Sequence, residues 1–213
     1  MSLRMSLFAA MLFAPSATFC ANASEPEPSL FGTIFVKHTP TFVDGKLTSC
    51  SLEYAVMVKD YAYKNGGIVT YQGSVSFTVS ENKRLLMYYL KLLVSDVEID
   101  NTTPVSITSA NFVFGNETSQ GAILADVPTE RAGGRIVMID AMKTFEKMGE
   151  AIDANNLIIS YARNKGGIDA QFRVDLTVVD TSNDGKRTFS DKNRLDYFTC
   201  SQKLLDNTIK GAK

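Results

Sequence analysis

Residues 50–79 read CSLEYAVMVKDYAYKNGGIVTYQGSVSFTV, and the fold turns on how this stretch is parsed. Apolar and polar residues alternate on both sides of Lys64-Asn65-Gly66-Gly67, the period of two that marks half-buried strands. Asn-Gly suits a two-residue hairpin turn because both central residues need positive φ. With Asn65 and Gly66 as the turn, Ala62 faces Val69, Val56 faces Val75, Tyr54 faces Phe77 and Leu52 faces Val79. The other face carries Lys59 with Gln72, Met57 with Ser74 and Glu53 with Thr78. A slip of one residue would turn the apolar set out to water, so the alternation supports an antiparallel hairpin.

Asp60 interrupts the apolar face, opposite Tyr71 in this register. We read it as a residue at the hairpin tip, where the core ends and water returns, with a buried, perturbed carboxylate as the alternative. Tyr61 and Tyr63 point away from the apolar face. They are either a ligand surface together with Asp60 or, the preferred reading, covered by a neighbouring element.

A related turn recurs at Tyr161-Ala-Arg-Asn-Lys-Gly-Gly-Ile168. Taking Lys165-Gly166 as its turn pairs Leu157 with Val174, Ile158 with Arg173, Ile159 with Phe172 and Ser160 with Gln171. The aligned residues of the two hairpins fall on opposite faces, so they share a turn solution and are not an internal repeat.

Between and around the hairpins, Phe31–Lys37 reads as a first strand, with Pro40 and Asp44-Gly45 marking loop or turn. Leu85–Ile99 is read as a long strand, with a buried helix over residues 85–94 as the rival. Asn101–Pro104 ends it, Val105–Phe114 is the next strand, Gly115–Gly121 a loop and Arg135–Ile139 a short strand. Asp140 is placed to cap a helix over about 141–154 whose stripe is Met142, Phe145, Met148 and Ile152. Asn155-Asn156 stops it. Thr199-Cys200-Ser201-Gln202 has capping-box form and predicts a helix over about 200–210 burying Leu205 and Ile209. The sum is an α+β fold, predominantly antiparallel β-sheet with two helices, in a single domain over residues 31–213.

The chain opens differently. A basic start at Arg4, the apolar run Leu7–Ala14 and the small-x-small pattern Ala21-Asn22-Ala23 form an export signal over residues 1–23. The run is too short for a stable membrane helix, so no membrane anchor is expected after cleavage. Residues 24–30 read as a flexible mature N-terminus. Cleavage removes Arg4 and no acid, leaving 21 basic and 23 acidic residues, a net charge of −2. No basic stripe points to nucleic acid. Of the three cysteines, Cys20 leaves with the signal, so Cys50 and Cys200 are expected to form a disulfide. The long loop it closes allows at most about 5 kcal/mol in the chain-entropy account.

His38 is the single histidine, which excludes sites that need two and leaves a Ser-His-Asp triad without context. We find no nucleophile elbow and no zinc spacing. Asp180, Ser182, Asp184, Thr188 and Asp191, with Gly185 in sixth place, put oxygens where a calcium loop needs them. Asp, Asn and Gly also build ordinary turns, Asp191 is short for the twelfth ligand, and Arg187 lies inside the loop. Asp96, Glu98 and Asp100 share one strand face and read as a solvated acidic edge. Asn101-Thr-Thr103 and Asn116-Glu-Thr118 fit the glycosylation pattern, which is common by chance.

The function expected from these features is an exported bacterial envelope or periplasmic protein of binding or scaffolding type, acting on an envelope partner or small ligand. Two alternatives remain. One is a carboxylate-dependent hydrolase of envelope glycans using Asp60 or the Asp96–Asp100 acids, which would need a pair set across a cleft. The other is a calcium-stabilised interaction module.

The export reading predicts that protein purified from the envelope fraction of a bacterial host begins at Ser24. Intact-mass analysis that finds the segment 1–23 still attached there overturns it.

Overall fold

The computed structural model describes residues 30–80, 85–167 and 169–210. The export signal (1–23), the mature N-terminus up to residue 29 and the polar turn 81–84 lie outside them. The described residues form thirteen strands and two α-helices, all strand pairs being antiparallel. In chain order they are β1 (Gly32–Val43), β2 (Lys46–Asp60), β3 (Gly67–Val79), β4 (Leu86–Glu98), β5 (Asn101–Pro104), β6 (Ser109–Phe114), β7 (Glu117–Thr118), β8 (Ile123–Pro128), β9 (Gly134–Asp140), α1 (Ala141–Asp153), β10 (Leu157–Ala162), β11 (Ala170–Val174), β12 (Val178–Thr181), β13 (Arg187–Phe189) and α2 (Lys192–Lys210). A seven-stranded sheet runs β1-β2-β3-β4-β9-β8, with β5 folded back on β4. A smaller sheet runs β11-β10-β6-β7, and β12-β13 is a separate ribbon.

Alternation decides which face of the large sheet becomes core. Cys50, Leu52, Tyr54 and Val56 of β2 are buried with Val69, Tyr71, Val75 and Phe77 of β3 and with Tyr88, Leu90, Leu92 and Val94 of β4. Glu53, Gln72 and Lys91 on the other face are exposed, and there Ser51 and Ser76 share a hydrogen bond of 2.7 Å. Over the buried face lie α2, against β1, β2 and β3, and α1, against β4 and β9. The small sheet covers the rest through β11 on β2 and β6 on β4 and β9. One core therefore serves both sheets, as an α+β domain requires. Among the described residues no helix is long and apolar enough to cross a membrane.

The first hairpin keeps its predicted faces but not its predicted pairs. Val58 faces Val69, Val56 faces Tyr71, and Tyr54 faces Gly73. The partner of Val56 has moved from Val75 to Tyr71, an even displacement, so every apolar side chain stays inside. The strands part at Asp60 and Gly67, and Tyr61–Gly66 form a longer loop. Asn65 and Gly66 still adopt positive φ, at 51° and 88°, and the Gly67 N–H donates to the Lys64 carbonyl at 3.0 Å. The turn is as expected, but it closes a loop and not the ladder. By contrast, β10 and β11 pair in the expected register from Leu157 with Val174 to Ser160 with Gln171.

Elsewhere the structure corrects the sequence reading. Residues 85–94 are strand: β4 lies between β3 and β9 and buries Met87 and Leu93 on its second face, so its apolar run mimics a helix. β1 continues through Pro40, which an edge strand tolerates because its missing N–H faces no partner. Residues 101–104 do not simply end β4 but return along it as the exposed strand β5. The strand expected from Val105 begins only at Ser109, and β8 had no counterpart in the reading.

The helices also shift. Asp140 caps α1 by accepting the Met142 N–H at 3.0 Å, and Asn155 leaves it at φ 52°. Yet its buried side is Ala141, Thr144, Met148 and Ile152, while Met142 is 71% and Phe145 44% exposed. Small residues let the helix axis approach the sheet, and the larger pair is left at the rim. α2 starts at Lys192, so Thr199 is not a cap. Its hydroxyl donates back to the Leu195 carbonyl at 3.0 Å, the local bond that Thr makes inside a helix. Tyr197, Cys200 and Leu204 are its buried side, while Ile209 is exposed.

Gly73 carries a constraint of its own. A Cβ there would lie 2.0 Å from the Lys91 carbonyl oxygen and 2.7 Å from the Tyr54 hydroxyl. The Lys91 backbone carbonyl, with the Tyr54 phenol beside it, thus occupies the space that a side chain at residue 73 would need. Gly73→Ala is expected to cost about 3 kcal/mol through this overpacking, read as a fall in the urea midpoint. A loss under about 1 kcal/mol would show that the close approach of the Lys91 carbonyl and Tyr54 to Gly73 is not required.

Candidate functional site

Asp60 ends β2 with its side chain only 2% exposed. Its Oδ1 accepts the backbone N–H groups of Ala62 and Tyr63 at 2.8 and 2.9 Å, a local turn that pulls the chain out of the ladder. This is why the register moved. Its Oδ2 accepts from the Tyr161 hydroxyl at 2.9 Å and from Arg163 Nη2 at 3.1 Å. The water-facing reading of Asp60 is therefore corrected: it is a buried carboxylate with each oxygen doubly hydrogen-bonded.

Arg163 continues from Asp60 to Asp96, with Nη2 at 2.8 Å and Nη1 at 3.2 Å from its two oxygens. Lys64 reaches the same carboxylate at 3.2 Å and Glu98 at 3.7 Å. Burial works against the Arg163 charge, but the hydrogen bonds it donates to Asp96 and its other partners outweigh it and hold the pKa above the ordinary value. Burial pushes the Tyr161 phenol up to about 12, so it is a neutral donor to Asp60. Tyr71, raised by burial and by its 3.2 Å contact with the Tyr161 hydroxyl, stacks on Phe172 at a centroid distance of 3.9 Å. The tips of both hairpins and the end of β4 are locked in one network.

Tyr63 belongs to this lock. Its hydroxyl accepts the Arg163 N–H at 3.2 Å, and Arg163 lies 5.3 Å over its ring. It is covered by the second hairpin, whereas Tyr61 is 75% exposed. The proposed surface of Asp60, Tyr61 and Tyr63 is thus divided between interior and solvent. Asp96 is likewise drawn off the solvated edge expected with Glu98 and Asp100. A sequence signal for Arg163 existed: it shares strand parity with the core residues Ile159 and Tyr161, as Asp60 does with Val56. Two opposite charges each interrupting an apolar face are a pairing signal.

Cys50 and Cys200 are joined, with Cα atoms 5.9 Å apart, and the bond ties α2 to β2. It sits within α2 and not in its first turn. Nearby, the His38 N–H donates to Asn193 Oδ1 at 3.1 Å and Asn193 Nδ2 donates to the Val36 carbonyl at 2.8 Å. The Asn193 amide therefore closes part of the β1 edge. The His38 ring lies edge-on to Tyr197 and burial lowers its pKa.

The five expected calcium ligands lie along the β12–β13 ribbon and the start of α2. Asp180 pairs with Thr188 across the ribbon, Ser182 hydrogen-bonds Asp184 inside the turn, and Asp191 accepts from Arg194 at 3.0 and 3.1 Å. Among the described residues no group of three or more His, Cys, Asp or Glu side chains is arranged to hold a metal ion.

A concavity of about 770 Å³ lies at the other end of the first hairpin. Phe42, Val43 and Leu47 flanking the β1–β2 turn, Val79 at the end of β3 and Leu204 of α2 give it apolar walls, and Lys46 and Lys203 stand among its lining residues. Phe42 and Val43 are 58% and 55% exposed. Its size falls in the range of about 300–1,000 Å³ typical of small-molecule sites. No sequence pattern announced it, because its walls come from three segments far apart in the chain.

Comparison of the chain with protein families, with curated proteins and with solved structures returns no match.

Breaking a buried ion pair by removing one partner costs about 3–5 kcal/mol. Arg163→Met, which leaves the buried Asp60 without its counter-ion and Asp96 with Lys64 alone, is expected to destabilise within that range in chemical denaturation. Asp60→Asn combined with Arg163→Met should recover part of the loss. A single-variant loss below about 1 kcal/mol would mean that the network does not hold the hairpin tips together.

Proposed function

We propose that this chain is an exported bacterial envelope or periplasmic protein that acts by binding, and that its ligand surface is the groove between the β1–β2 turn and α2. The groove carries the reading. Monomeric proteins seldom leave large apolar side chains such as Phe42 and Val43 exposed around a concavity unless something binds there. Export is supported by the signal-like segment 1–23 and by the use of both remaining cysteines in one disulfide, a bond that persists in oxidising compartments. The acids that would serve a hydrolase give that alternative little support, because Asp60 and Asp96 share the Arg163 guanidinium.

Nile red, an uncharged dye whose emission rises in apolar surroundings, tests the groove. The folded protein is expected to bind it with a one-to-one saturation curve, and Phe42→Ser with Val43→Ser is expected to abolish the signal while leaving the melting temperature nearly unchanged. An unchanged signal in that variant, or no signal from the native chain, overturns the assignment.

A further inference from the structure

We infer that the groove takes a free, single-chain anionic amphiphile, with its hydrocarbon tail along the apolar walls and its head between Lys46 and Lys203. This rests on the groove being the ligand surface and adds the chemistry of the ligand. Among the described residues the lining holds two lysines and no acid. Both lysines are exposed, and neither is engaged in an ion pair among the described residues. On a chain whose charges otherwise nearly cancel, two unneutralised ammonium groups on one apolar concavity select an anion attached to an apolar body.

The lysines stand on different elements, Lys46 at the start of β2 and Lys203 on α2. The same lining includes the apolar side chains of Phe42, Val43, Leu47, Val79 and Leu204. Ser80 and Asn207 add a hydroxyl and an amide to the same lining, suited to the second oxygen of a carboxylate, whereas the Thr48 and Thr208 hydroxyls already donate to the Thr41 and Leu204 carbonyls. The walls fit a flexible tail, and the flanking ammonium groups fit a compact head.

The disulfide bears on the site through helix position. Cys200 lies one turn before Leu204, so the covalent tie to β2 fixes where the α2 wall stands relative to the β1–β2 turn. A rigid wall lowers the ordering cost of binding.

The test is competition against bound Nile red by laurate, decanoate and octanoate, at concentrations below micelle formation. Laurate is expected to displace the dye, with affinity falling about two- to fourfold for each methylene removed. Lys46→Glu with Lys203→Glu, both exposed changes, is expected to weaken laurate about tenfold or more and to leave Nile red in place. Dodecyltrimethylammonium, with the same tail and opposite charge, should compete poorly with the native chain and better with the double variant. Nile red binding that laurate cannot displace overturns the anionic-amphiphile assignment while leaving the groove as a ligand surface. So does equal competition by the cationic detergent. Absence of Nile red binding from the native chain removes the groove itself. A concentration-dependent dimer abolished by Phe42→Ser and Val43→Ser would assign the groove to a second copy of the chain. Sedimentation of the protein with anionic lipid vesicles but no binding of free laurate would assign it to a bilayer surface.

Discussion

A buried carboxylate needs its partners supplied from inside, and Asp60 obtains them from two directions. Two come from the backbone just beyond it, which ends β2 and opens the loop before β3. The others, Tyr161 and Arg163, come from the second hairpin, and through Arg163 the end of β4 is added. Desolvating a charge is costly, so such a group is tolerated only where the surrounding geometry is fixed. Asp60 thereby sets the register of the first hairpin and joins the tip of the large sheet to the tip of the small one. The Tyr71–Phe172 stack beside it extends the junction into the apolar core, where aromatic pairs add about 0.5–1.5 kcal/mol beyond burial.

The opposite end of the first hairpin is secured differently. There the core face carries Cys50, and its bond to Cys200 holds α2 across β2. Beyond this tie the helix and the β1–β2 turn diverge and leave the groove between them. One end of the molecule is closed by a network of charges and phenols, while the other is fastened by one covalent link and remains concave.

The fold was largely legible wherever one face of a strand is buried. Parity alone assigned the core residues of β2 and β3, and for β10 and β11 the pairing was also recovered. Helix starts were legible where the cap is local, as at Asp140, and misleading where Thr199-Cys200-Ser201-Gln202 imitates a capping box inside a longer helix. β4 resembled a helix because it is buried on both faces. β5 was missed because its four residues are all exposed, and β8 because its half-buried and exposed residues do not alternate. Of the site residues, the two cysteines were legible by elimination, whereas Asp60 was noticed and misjudged because its partner could not be seen.

What the sequence by itself determined is which side of each long strand faces inward, where the tight turns need positive φ, and that Cys50 and Cys200 are the two cysteines outside the expected export signal. These are local or counting properties, set by side-chain period, backbone sterics and valence. Only the tertiary structure decided that Asp60 meets Arg163 across a hundred residues, that Ala141 and Thr144 and not Met142 and Phe145 face the core, and that Phe42, Val79 and Leu204 border one groove. Each of these depends on the distance between surfaces that are remote in the chain, and no local pattern encodes that distance. For the stretch 50–79, the alternation fixed its faces, but a carboxylate seeking partners from another hairpin fixed its register.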